Sequence, residues 1–103
     1  MVVELDPERR CVSVHGEMDE YCHDALVAGV GAAAAAAPDG GPVHLDLSEV
    51  TFLSGTGIRA LVDAAESLGE RRLQVDVAST IVARVLEVTA LDGYFGLRPA
   101  GHG

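Results

Sequence analysis

Val50-Thr51-Phe52-Leu53-Ser54-Gly55-Thr56-Gly57-Ile58-Arg59-Ala60-Leu61 passes from an acidic, strand-like segment into an amphipathic one, with two hydroxyls and two glycines at the changeover. A helix beginning there offers unpaired backbone N–H groups and the positive end of its dipole to an anion. That anion could sit on a bound cofactor, or it could be a phosphate on one of the protein's own hydroxyls. The first choice implies an enzyme and the second a signalling switch.

Upstream, Val43-His44-Leu45-Asp46-Leu47 alternates apolar and polar residues, as a strand with one covered face does. Downstream, Ile58, Leu61, Val62, Ala65 and Leu68 share one helical face over residues 57–68. Arg59, Asp63, Glu66 and Glu70 populate the other face, and Gly69 supplies a stop. Two short strands, residues 2–5 and 11–15, open the chain around the turn Asp6-Pro7-Glu8. Gly16-Glu17-Met18-Asp19 reads as a loop, with Asp19 placed to cap a helix over residues 21–36.

The alanine run at residues 32–37 favours helix by propensity but offers little to bury, so the last turns are expected to fray. Pro38-Asp39-Gly40-Gly41-Pro42 ends that helix. Leu73-Gln74-Val75-Asp76-Val77 is the next strand. Ser79 or Thr80 then caps a helix that turns Ile81, Val82, Val85, Leu86 and Val88 inward and ends by Asp92-Gly93. Tyr94-Phe95-Gly96-Leu97 reads as a short final strand, followed by a loose tail over residues 98–103. Alternation of strand and helix after the first hairpin predicts an α/β fold, one domain with a mixed sheet of four or five strands covered by helices.

The composition narrows the function. A length of 103 residues suits one domain, and aromatics are only 4%, so the core must come from Val, Leu, Ile and Ala. A net charge of −9 opposes binding to nucleic acid or anionic lipid, which require a clustered basic surface. No apolar run is long enough to span a bilayer and no basic-then-apolar leader opens the chain, so membrane insertion is not expected and the protein reads as cytoplasmic. Cys11 and Cys22 are expected to be reduced thiols. Together with His15 and His23 they lack the paired close spacing of a zinc site, so no metal is expected.

Three chemistries compete for the glycine segment. Gly55-Thr56-Gly57-Ile58-Arg59-Ala60 fits the dinucleotide pattern G-x-G-x-x-A, and Asp76 lies about where a ribose-binding acid belongs. Against this, the better strand ends at Leu47, only 27 residues follow Asp76, and the chain has no lysine for a Tyr–Lys pair. No cofactor is therefore expected. A second reading is purely structural, with Thr56 capping a helix and Gly55 and Gly57 permitting a tight turn. The third is a switch: phosphate on a hydroxyl at a helix N-terminus leaves the fold intact but blocks a partner by charge and desolvation. His15, His23, His44 and His102 make no Ser/His/Asp arrangement with a nucleophile elbow, so no catalytic residue is assigned.

The ordered motifs resemble the STAS domains, specifically the bacterial anti-sigma factor antagonists. Gly16-Glu17-Met18-Asp19 is similar to that family's G-E-L-D loop. The segment from His44 to Leu53 is similar to its strand D-L-S/x-x-V-x-F-[LMI], and Gly57-Ile58-Arg59-Ala60-Leu61 to its helix start G-[LI]-x-x-L. Val85-Leu86-Glu87-Val88-Thr89-Ala90-Leu91-Asp92-Gly93-Tyr94-Phe95 resembles its closing element. The resemblance covers residues 2–97 and implies a STAS-type single domain without a catalytic centre. It implies docking to an anti-sigma factor, usually a serine kinase, which frees a sigma factor. The kinase then switches the antagonist off by phosphorylation, and a phosphatase restores it.

Relatives typically read D-S-[ST]-G before the helix, with the first Ser as acceptor. Here Ser54 stands at the Asp position, Gly55 at the acceptor and Thr56 at the second hydroxyl. Thr56, ahead of Ser54, is the candidate phosphoacceptor. Asp19, Asp46, Ser54, Gly55, Thr56, Gly57 and Arg59 are the candidate partner contacts, and Arg59 could neutralise a phosphate on Thr56. A STAS scaffold or transporter-accessory module outside sigma control is the alternative function.

Overall fold

The computed structural model describes residues 1–97; the tail expected at 98–103 lies outside the described residues. Strands β1 (Val2–Asp6) and β2 (Cys11–Met18) form an antiparallel hairpin. Helix α1 (His23–Ala35) leads to β3 (Val43–Leu53), α2 (Gly55–Ser67) leads to β4 (Leu73–Ala78), and α3 (Thr80–Val88) follows. The sheet order is β1-β2-β3-β4, with β2, β3 and β4 mutually parallel.

One sheet face carries Val12, Val14, Val43, Leu45, Leu47, Leu73 and Val75, all buried in a single cluster with the inward residues of the helices. The alternate residues Ser13, His44, Asp46 and Gln74 lie on the opposite, uncovered face, as a period of two demands. Ile81 and Val88, expected inward on α3, instead face solvent at 51% and 81% exposure. Val82, Ala83 and Leu86 fill the core from that helix. Ile81 and Val88 stand three and four residues from Arg84 and so share the polar face that Thr80, Arg84 and Glu87 mark out.

Several boundaries move. β2 continues through Met18, so the expected loop at residues 16–19 is mostly strand, with only Asp19 beyond its end. β3 runs 11 residues rather than five, and irregular register against β2 near Leu47–Ser48 and at Thr51 marks two bulges. A bulge breaks strict alternation, which is why the pattern stops at Leu47 although the strand does not. The expected strand at residues 94–97 is a turn. Its single ladder-like bond, from Val75 N–H to the Phe95 carbonyl at 2.8 Å, does not make a strand.

The alanine-rich end of α1 also departs from expectation. Ala33 and Ala37 are buried, and Arg71 reaches back to donate to the carbonyls of Ala34, Ala37 and Gly41 at 2.8, 2.7 and 3.0 Å. α1 has no basic residue in its own last turn. A guanidinium distant in sequence meets the negative dipole end of α1 and the carbonyls just beyond it instead. Charge-assisted bonds of this kind are worth about 1.5–3 kcal/mol each when half-buried.

Candidate functional site

The site is the junction where β2 and β3 end side by side and α2 begins. Met18 pairs with Leu53 at the last register position, and the Met18 carbonyl accepts from Ser54 N–H at 3.0 Å. Ser54, not Thr56, is the N-cap of α2: its Oγ accepts from Gly57 N–H at 3.1 Å. The same hydroxyl lies 3.2 Å from the Met18 carbonyl and 2.8 Å from Thr56 Oγ1. Thr56 is the second residue of α2, in its first turn, and is exposed, whereas Ser54 is half-buried. Residues 54–57 are thus a cap and a first helical turn rather than a loop.

The two glycines do different work. Around Gly55 a Cβ would meet nothing, so the missing side chain leaves open space at the helix tip. At Gly57 a Cβ would fall inside van der Waals contact with the Met18 carbonyl oxygen and 2.9 Å from its carbon. Gly57 exists because the helix must approach β2 this closely, and backbone freedom is not the reason. In a dinucleotide site the second glycine admits a pyrophosphate; here the Met18 carbonyl occupies that space. Asp76, the residue spaced as a ribose acid, pairs with His44 Nδ1 at 3.0 Å on the uncovered sheet face. At ~3.3 Å per residue, it lies on the order of 20–25 Å from the glycines along the sheet.

Asp19 follows Met18 directly and so belongs to the junction. Its Oδ1 accepts from Tyr21 N–H at 2.9 Å, organising the turn before α1. It does not cap α1 itself, whose N-cap is Cys22 with no side-chain bond. Asp46 does not join the junction. It lies eight residues before Ser54 on the same strand, roughly 25 Å away, where its Oδ1 accepts from Ser48 N–H at 2.9 Å. Arg59 is exposed on α2 and donates from Nε to Asp63 Oδ1 at 3.1 Å, so its guanidinium is engaged one turn away from Thr56.

Two exposed aromatics flank the junction and escaped sequence reading. Phe52, two residues before the cap, is 50% exposed, and Tyr21, beside Asp19, is 83% exposed. Phe52 reads as an ordinary strand residue until the bulge at Thr51 is known. Acidic Glu17, Asp19 and Glu20 share this end of the molecule. An exposed helix tip, two solvent-facing rings and a carboxylate rim thus lie together, around an open cavity lined by Gly16, Glu17, Asp19, Tyr21 and Thr51.

The residues weighed as metal ligands are dispersed. Cys11 and His15 lie on β2, whereas Cys22 and His23 stand at the start of α1. Burial is the main force pushing both thiols up, aided by Asp46 and Asp76 at Cys11 and by Asp19 at Cys22. Both cysteines are free thiols. Among the described residues no group of three or more His, Cys, Asp or Glu side chains is placed to hold a metal ion. No described helix is long and apolar enough to cross a membrane.

A family model described as Mlab, STAS domain, matches residues 1–99. Among solved structures, an anti-sigma factor antagonist from Mycobacterium paratuberculosis is similar at 34% identity and a TM-score of 0.69. That match covers 88% of this chain and 77% of the other. No curated protein matches.

Proposed function

Because the chain belongs to the STAS domain family, we propose that it acts as an anti-sigma factor antagonist, docking to an anti-sigma factor through the β2–β3–α2 junction and so releasing a sigma factor. The observation that carries this reading is the exposed first turn of α2, set by the Ser54 cap and flanked by Phe52 and Tyr21, in a chain 34% identical to an anti-sigma factor antagonist. The partner is an anti-sigma factor of the serine-kinase type, met in the cytoplasm. Asp19, Gly55, Thr56 and Arg59 form the polar part of the contact, and Asp46 has no place in it.

Within this reading Thr56 is the phosphoacceptor. Its hydroxyl is exposed and sits in the first turn, where the helix dipole and free N–H groups favour an added dianion. Ser54 is committed to Gly57 N–H and packed against the Met18 carbonyl, so phosphorylating it would remove the cap. Phosphate on Thr56 leaves the fold in place and repels an acidic or apolar partner surface; a phosphatase reverses it.

Co-purification from the native cell tests the docking reading. The expected result is an anti-sigma factor bound to the wild-type chain, and binding at least tenfold weaker for Thr56→Glu, equivalent to about 1.4 kcal/mol. Full-strength capture by Thr56→Glu would remove the α2 tip from the interface. Recovery of a permease component instead would favour a transporter-accessory STAS module. Incubating the captured complex with ATP tests the switch by mass spectrometry. One phosphate is expected on Thr56, none on Thr56→Ala, and a second acceptor in Gly55→Ser, whose new side chain enters open space. Absence of phosphate on the wild-type chain, with Gly55→Ser modified, would mean a constitutive antagonist.

A further inference from the structure

Behind the α2 tip, four charged side chains form a chain between two helices. His23, the first residue of α1, has both ring nitrogens against carboxylates: Nδ1 lies 3.1 Å from Asp24 Oδ1, and Nε2 lies 3.0 Å from Asp63 Oδ2. Asp63 turns its other oxygen to Arg59 Nε at 3.1 Å. A neutral imidazole has one N–H and can serve only one of its two carboxylates. The observed geometry, with an acceptor at each nitrogen, is that of the imidazolium.

Two cations therefore share one carboxylate. Asp63 is the less exposed member, at 29%, against 45% for His23 and 76% for Arg59. We propose that charged His23 competes with Arg59 for Asp63 and weakens the hold on Arg59 without breaking it, whereas neutral His23 leaves Arg59 as the cation that Asp63 retains. His23 and Asp63 are then positioning residues for Arg59, whose place in a docking face rests on the function proposed above. The consequence is a docking surface whose Arg59 responds to the protonation of His23.

Electrostatics around the ring agree in sign. The groups acting on His23 are Asp24 of its own helix and Asp63 of α2, and both hold its pKa above the ordinary imidazole value. No charged group of the strands against which α1 packs contributes to that shift. The positive dipole end at the start of α1 opposes the charge. With the folded value raised, this contribution to stability is complete below the unfolded pKa and disappears as pH rises through the folded one. The same rise removes one positive charge from the cluster, turning its formal sum from zero to −1.

NMR of the whole chain tests the coupling without any partner. Between pH 5.5 and 8.5, the Arg59 Nε–H resonance is expected to move with the same midpoint as the His23 ring. In Asp63→Asn the His23 midpoint should fall, and the pH-dependent movement of Arg59 should be lost. His23→Gln should abolish the Arg59 titration while its amide spectrum stays that of the folded protein. An Arg59 resonance indifferent to pH in the wild-type chain, or a His23 midpoint unmoved by Asp63→Asn, would overturn the proposal. Neither outcome bears on whether an anti-sigma factor docks, and failure to capture one leaves this coupling standing.

Discussion

Replacing Gly57 with alanine is expected to destabilise the protein by about 2–3 kcal/mol, although alanine is the better helix former. The added methyl would meet the Met18 carbonyl head-on. Backbone forms both sides of this contact, so no rotamer change relieves it, and the start of α2 must withdraw from the end of β2. Withdrawal strains the Ser54 N–H bond to Met18 at 3.0 Å and the hydroxyl contact at 3.2 Å, the two links that seat the cap. For a domain of this size such a loss lowers Tm by roughly 10–20 °C. Gly55→Ala, two residues away, is the control: its Cβ enters open space and Tm should not fall. Equal melting of Gly57→Ala and wild type would refute the close-approach account. Because Gly57 sits beneath Thr56, partner capture should weaken in Gly57→Ala even at temperatures where it remains folded.

Phe95→Ala is expected to cost about 3–5 kcal/mol, the largest effect of any single truncation considered. Phe95 is wholly buried, the largest such side chain among the described residues, and packs edge-on against Tyr94 with ring centroids 4.9 Å apart. It joins the core from an irregular turn rather than a strand. Its ring therefore anchors the closing segment, which otherwise meets β4 through the Val75–Phe95 bond and the Gln74 side chain on the Gly96 carbonyl at 2.7 Å. Stabilities of small domains lie near 5–15 kcal/mol, so the variant should sit at the edge of cooperative unfolding. A denaturant midpoint within a few per cent of wild type would show that the turn contributes little. Phe95→Leu, which keeps most of the volume, should recover the greater part of the loss.

The site was partly legible in the residues. Hydroxyls and glycines at the start of an amphipathic segment mark a helix tip, and Asp19 next to Met18 belongs to the same end of the molecule. Reading Thr56 as the cap failed by two residues, because Ser54 and Thr56 are both competent caps and only packing against Met18 selects between them. Asp46 lies away from the junction for a geometric reason: it belongs to the strand that leads into Ser54, and a strand carries residues apart at ~3.3 Å each. Of the His23–Asp63–Arg59 chain only the Arg59–Asp63 spacing is local; the contact to His23 joins residues 40 apart.

The segment at residues 50–61 and its surroundings determined, unaided, the order of the first seven elements, the mixed α/β class and the family, because these depend on periodicity, turn chemistry and motif order along the chain. Tertiary structure decided what lies across it. It ran β3 through two bulges to the cap, brought the Met18 carbonyl to Gly57, closed α1 with Arg71 and tied α2 to His23. Each of these depends on one backbone or charge meeting another distant in sequence, and such a meeting leaves no period to read.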